Sequence, residues 1–169
     1  HTERFNPAVL AAERFGDRPW YVVGERLGPF KERSTDVHVV DDLMIHDLDL
    51  CLRWFGSKAI EIRAVGVSIF TEHVDMANAR IEFESGAVCS LTASRSSLES
   101  SRKLRLFTPR RYLSLDLGQK AVKCVRRNPP KGAGFNWGAS LSYIGSYVAH
   151  YEDAKRAYLA YPGYGLLGL

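Results

Sequence analysis

Asp41-Asp42-Leu43-Met44-Ile45-His46-Asp47-Leu48-Asp49-Leu50-Cys51-Leu52-Arg53-Trp54-Phe55 reads as an apolar helix carrying one narrow polar line. At roughly 100° per residue, Asp42, His46, Asp49 and Arg53 fall in a single stripe, spaced i, i+4, i+7 and i+11. Leu43, Met44, Ile45, Leu48, Leu50, Cys51, Leu52, Trp54 and Phe55 occupy most of the remaining circumference, so the helix is expected to be covered on several sides. A polar line on such a helix faces a solvent strip, an ion-pair ladder, a metal or a substrate cleft. Asp49 and Arg53 are spaced for an ordinary i, i+4 pair. Asp42 and His46 offer more chemistry. A carboxylate one turn before an imidazole can accept its ring N–H, fix the tautomer and support the imidazolium, leaving the second nitrogen as a general base. Asp47 points at the apolar arc, where a carboxylate needs backbone donors or a buried cation.

On the N-terminal side of this helix, Asn6 and Pro7 are placed as N-cap and first helical residue of a short helix over 7–15 that stops at Gly16. Residues 20–26 are aromatic and β-branched and read as a strand. The Gly-Pro punctuated stretch 27–36 then delivers Arg26, Phe30 and Arg33 close in sequence to the central helix, as walls of any site there. On the C-terminal side, Gly56-Ser57 stops the helix and strands follow over 59–70, 75–84, 87–94, 103–107, 111–117 and 121–126, with a hairpin turn at Ser85-Gly86. In the first of these, Ile60, Ile62 and Ala64 share one face while Val65, Val67 and Ile69 share the other. The pattern predicts an α+β domain, a largely antiparallel open sheet with helices packed on one face. The divisions are a leading segment over 1–16, the α+β domain over 17–127 and a tail over 128–169 with a helix expected over 140–161.

Composition narrows the function classes. The 169 residues are 46% hydrophobic with a net charge of +4, enough for one sizeable core. No apolar run is long enough to span a bilayer, and His1 in place of Met reads as an interior cut of a longer polypeptide. Cys51, Cys89 and Cys124 are far apart and set in apolar runs, which predicts buried free thiols in a reducing, cytoplasmic compartment. Basic residues crowd over 102–131 with Asp116 as their only acid, a pattern able to attract a phosphorylated ligand. Lys103 and Arg105 alternate with Leu104 and Leu106 as in a strand with one wet face, and no nucleic-acid module signature accompanies them. The tail ends on Gly163-Tyr164-Gly165-Leu166-Leu167-Gly168. This G-x-G-x-x-G lacks the strand before it and the helix after it that a dinucleotide site requires.

Five stretches in order carry a resemblance: His1-Thr2-Glu3-Arg4-Phe5-Asn6-Pro7-Ala8, Arg33-Ser34-Thr35-Asp36-Val37, Asp42 to Asp49, Ala79-Arg80-Ile81-Glu82-Phe83-Glu84-Ser85-Gly86, and Leu91-Thr92-Ala93-Ser94-Arg95. Over about residues 1–126 the chain resembles the glucose–fructose oxidoreductase/inositol dehydrogenase/rhizopine-catabolism (Gfo/Idh/MocA) family, nearest the bacterial branch acting on UDP-N-acetylglucosamine and similar nucleotide sugars. The resemblance implies a two-domain enzyme in which an N-terminal Rossmann domain, absent here, binds NAD or NADP. The second domain would supply the substrate contacts and form a homo-oligomer through its open sheet face. It further implies that His46 takes the proton of a sugar hydroxyl while Asp42 supports the imidazolium, and that the partners are a sugar or UDP-sugar and the Rossmann domain, with neither nucleic acid nor membrane. Beyond residue 127 the family pattern is not followed. Two other readings stand beside this one: a non-catalytic binding or oligomerisation module of the same fold, and a metal site from His38, Asp42 and His46.

Overall fold

The first helix starts where its capping residues predict. The Asn6 side-chain oxygen accepts the Ala8 N–H at 3.0 Å and Pro7 takes the first helical position, so α1 spans Pro7–Glu13, behind one 3-10 turn at Thr2–Phe5. In this computed structural model, residues 1–31 and 36–126 are described. The helix expected in the tail lies outside them, as does Arg33.

After α1 come β1 (Tyr21–Leu27), a π-helical turn (Val40–Met44) running into α2 (Ile45–Phe55), then β2 (Ala59–Val67), β3 (Met76–Phe83), β4 (Val88–Ser94), β5 (Ser101–Phe107), β6 (Arg111–Asp116) and β7 (Ala121–Arg126). Gly56 ends α2 at φ +57, and Gly86 turns the β3–β4 hairpin at φ +79. Both positions need the left-handed backbone that glycine adopts without cost. The seven strands form one sheet in the order β2-β3-β4-β1-β5-β6-β7. Five of its six adjacent pairs are antiparallel; β1 and β4 run parallel, because the chain leaves β1, passes through α2 and returns only after the β2–β3 hairpin. The α+β architecture with a largely antiparallel sheet is therefore as expected.

Strand alternation decides which face is covered. Val22 of β1, Cys89, Leu91 and Ala93 of β4, Leu104 and Leu106 of β5, and Leu113 and Leu115 of β6 are buried under the helices. Ala8, Val9 and Ala12 of α1 lie in the same core, near β6 and β7, so the leading segment packs with the sheet domain. Met44, Leu50, Cys51 and Phe55 are the apolar side chains that α2 and its π turn bury, and the Phe55 ring meets Phe83 edge-on at 4.7 Å. Leu52 is exposed, so α2 buries one face where cover on several sides was expected. Gly24, midway along β1, allows this depth of packing: a Cβ there would come within 2.5 Å of the Leu91 side chain. The other sheet face carries half-buried Val23, Glu25, Ser90 and Thr92 and exposed Arg80 and Lys103. Edge strand β2 is largely exposed on both faces, with Ile62 64% accessible on the helix side. The three cysteines are buried and unpaired as disulfides.

Candidate functional site

The central helix is held by ion pairs to distant parts of the chain. Arg26, 3% exposed on the covered face of β1, donates from Nε and Nη2 to the two Asp47 oxygens at 3.1 and 2.7 Å, and from Nη1 to Glu3 at 3.1 Å. Asp47 thus has the buried cation its place on the apolar arc demands. Burial pushes the Asp47 carboxyl up, against the pull of Arg26. Burial also works against the Arg26 charge, but Asp47 and then Glu3 outweigh it and hold the guanidinium above its ordinary value. Two residues on, Asp49 accepts Arg4 in a bidentate pair at 2.7 and 2.6 Å, and Arg53 pairs with Glu13 at 2.8 Å. The expected Asp49–Arg53 pair is not made. A bidentate arginine from the leading segment outcompetes an i, i+4 contact worth only a few tenths of a kcal/mol.

The Asp42–His46 pair is also rearranged. Asp42 falls inside the π turn, whose i→i+5 bonding takes an extra residue, so the uniform stripe of an α-helix does not extend back to it. No hydrogen bond joins Asp42 to His46. The Nδ1 atom of His46 is shut off from solvent without a hydrogen-bond partner among the described residues, and its ring lies edge-on to His1 at 5.7 Å. The Nδ1 of His38 accepts the Val74 N–H at 3.1 Å and its ring meets His73, so it is not free to join Asp42 and His46 around a metal. Among the described residues no three His, Cys, Asp or Glu side chains cluster as metal ligands. Phe30 packs edge-on against Phe70 at 5.1 Å.

Beside the π turn a cleft of about 460 Å³ opens between the chain leaving β1, the start of β5 and the β6–β7 turn. Asp42 and Leu43 line it from the helix; Arg26, Lys31, Arg95, Arg102 and Lys103 supply its cations. Arg95 and its partner Asp75 escaped the sequence reading. Asp75 is fully buried: its Oδ2 accepts the backbone N–H groups of Ile69, Phe70 and Thr71, and its Oδ1 accepts the Thr71 hydroxyl and Arg95 Nε. Burial alone would raise this carboxyl, but the three backbone donors and the hydroxyl hold it far below the ordinary carboxylate range. Arg95 also donates to the Val37 carbonyl at 2.6 Å, fastening the approach to the π turn onto the end of β4. An acid ahead of a strand and an arginine after one gave no local sign that they meet.

Residues 10–111 match the GFO/IDH/MocA C-terminal domain. The chain belongs to that family. It is 44% identical over 128 residues to the UDP-N-acetylglucosamine 3-dehydrogenase of Acidithiobacillus ferrooxidans, an alignment covering 75% of this chain and 41% of the relative. Two crystal forms of that relative superpose with TM-scores of 0.72, at 41% identity over 75% of this chain and 42% of theirs, and 0.75, at 33% identity over 95% and 51%. This family member therefore spans about half the length of those relatives or less. Levoglucosan dehydrogenase in complex with NADH and L-sorbose shares the fold, with a TM-score of 0.69 at 15% identity over 88% of this chain and 45% of its own. No helix among the described residues is long and apolar enough to cross a membrane.

Proposed function

We propose that this chain is the substrate-binding and catalytic portion of an NAD(P)-dependent oxidoreductase that converts a hydroxyl of a nucleotide sugar to a ketone. The observation that carries the reading is the 44% identity to a UDP-N-acetylglucosamine 3-dehydrogenase. Beside it stands His46 on this chain's central helix, whose buried Nδ1 has no hydrogen-bond partner among the described residues. The dinucleotide, held mainly by an N-terminal Rossmann domain outside this chain, supplies the hydride acceptor when bound. His46 takes the hydroxyl proton as the carbon is oxidised. Asp42, four residues away and without an ion pair, favours the resulting imidazolium through its charge. Arg26 backs the substrate cleft from β1, Phe30 flanks the same loop, and Arg33 belongs to its continuation. The open sheet face is the homo-oligomer surface, and the enzyme works in the cytoplasm, where its buried cysteines stay reduced.

In the intact protein, His46→Ala should abolish most turnover of UDP-N-acetylglucosamine, measured as NAD(P)H formation, while dinucleotide binding by fluorescence titration is kept. Turnover within threefold of the parent would refute the role of His46.

A further inference from the structure

We propose that the cleft holds a phosphoryl-binding subsite built from Arg102 and Lys31. Only the identification of the phosphoryl group with that of a nucleotide sugar rests on the function proposed above.

Arg102 lies on the covered face of β5, in line with buried Leu104 and Leu106 and directly across from Arg26 of β1. Two arginines opposed on one face repel each other unless carboxylates intervene. Arg26 is already matched by Asp47 and Glu3, whereas Arg102 makes no ion pair with any described residue and is exposed where the cleft opens. A cation kept at a position whose strand neighbours are core leucines marks a surface that expects an anion. Lys31, on the chain leaving β1, lines the same cleft and likewise has no ion pair among the described residues. Lys103 is not part of the subsite. It also lines the cleft, but the carboxylate residues Glu25 and Asp116 occupy the positions on either side of it across the sheet.

The mouth of the same cleft carries an unsatisfied group on the alternate face of β5. Ser101 precedes Arg102 at the start of β5 and lines the cleft, and its hydroxyl is one of only two buried side-chain polar atoms without a partner among the described residues. A buried orphan hydroxyl is rare and calls for an acceptor. The Asp42 side chain, on the helix wall, makes no hydrogen bond or ion pair among the described residues. The cleft thus has the Asp42 carboxylate on its helix wall and, on its sheet wall, the Asp116 carboxylate beside Lys103, which leaves the Arg102 and Lys31 end for a phosphoryl group and the Asp42 end for neutral hydroxyls. The phosphoryl oxygens would accept from the Arg102 fork and the Lys31 ammonium. The sugar hydroxyls would then point toward Asp42 and the helix that carries His46.

The test is calorimetric titration of the full 169-residue chain with inorganic pyrophosphate at low ionic strength, against Arg102→Gln, Lys31→Gln and, as a control for diffuse charge, Lys123→Gln on β7. Arg102→Gln should weaken binding at least about tenfold, the loss of one charge-assisted interaction, with Lys31→Gln weaker in effect and Lys123→Gln indistinguishable from the parent. Thermal melts check that the exposed Arg102 substitution leaves the fold intact. The subsite is overturned if the parent chain does not bind at millimolar pyrophosphate, if Arg102→Gln stays within twofold of it, or if Lys123→Gln weakens binding as much. Turnover by the intact protein separates the two proposals. Loss of pyrophosphate binding in Arg102→Gln with no oxidation of any nucleotide sugar by the parent leaves the subsite standing and removes the proposed function. Oxidation of UDP-N-acetylglucosamine with an unchanged KM and pyrophosphate affinity in Arg102→Gln does the reverse.

Discussion

Replacing Arg26 with Met removes the cation from a cluster that contains two carboxylates. The side chain of Arg26 is 4% accessible and that of Asp47 likewise 4%, so neither charge is screened by water. Methionine fills a similar volume, and the loss is therefore electrostatic. Asp47 keeps its burial and loses the Arg26 hydrogen bonds and charge that pull its carboxyl down, and Glu3 loses its ion-pair partner. Breaking a buried pair from one side costs about 3–5 kcal/mol, against about 0–1 kcal/mol for an exposed one. For a chain of this size that corresponds to a fall in Tm of roughly 6–20 °C. Urea unfolding followed by circular dichroism, on Arg26→Met and on the double variant Arg26→Met/Asp47→Leu, measures it. The double variant should recover much of the loss, because no unpaired charge stays behind at Asp47. The pH dependence has a definite sign. The Asp47 carboxyl is raised in the folded state, and without Arg26 it rises further, so the folded protein binds the proton more tightly than the unfolded chain does. The penalty is then present at pH values above the folded value and is relieved as pH falls below it. A loss under about 1 kcal/mol in Arg26→Met, or a double variant no better than the single, would refute the argument that Arg26 is committed to the fold.

Two further outcomes follow from other buried groups. Asp75→Asn should cost about 3–5 kcal/mol at pH 7, because an amide cannot accept all five donors that converge on the carboxylate. Since the Asp75 carboxyl is lowered in the folded state, its stabilisation is present above the ordinary carboxylate value near 4 and is lost as pH falls below it; parent and variant unfolding curves should converge in that acid range. Burial pushes the Cys124 thiol up to about 11, and hydrogen bonding with the neighbouring Cys89 thiol, together with burial, pushes Cys51 well above its usual value. Iodoacetamide at pH 8 should therefore label the native protein only as fast as it unfolds, read by mass spectrometry with and without urea; rapid labelling of Cys51 or Cys124 in buffer would contradict their burial.

Much of the fold was legible because its local signals agree with one another. Asn6-Pro7, Gly16, Gly56 and Ser85-Gly86 each mark an element boundary by a backbone requirement that few residues meet; the boundaries fall where they place them except at Gly16, where α1 already ends at Glu13, two residues short of the expected 7–15. Alternation likewise assigned Leu104 and Leu106 to the core and Lys103 to the wet face. What alternation cannot carry is neighbour order. The strand at 21–27 gives no hint that it lies between β4 and β5, since its hydrogen-bonding partners are some seventy residues or more away and any strand edge offers the same donors and acceptors.

The site was less legible for a related reason: periodicity tells which residues share a face, whereas partners decide what each can do. The stripe Asp42, His46, Asp49 and Arg53 assumed one uniform helix, and the π turn removes Asp42 from it while Arg4 and Glu13 claim Asp49 and Arg53. Arg26 lies near the central helix in sequence and therefore drew attention as a substrate contact, yet the same proximity in space hands its guanidinium to Asp47. Arg102 drew none, being part of a basic run whose alternation suggested only solvation. In the fold it stands opposite Arg26 without an ion pair among the described residues. The two arginines have the same chemistry and share one face of the sheet. A ligand anion gains more from the one whose charge is not already matched, because displacing Asp47 from Arg26 would leave that carboxylate buried and unpaired. Recognition in this cleft therefore falls to Arg102, with Arg26 as the fixed wall behind it.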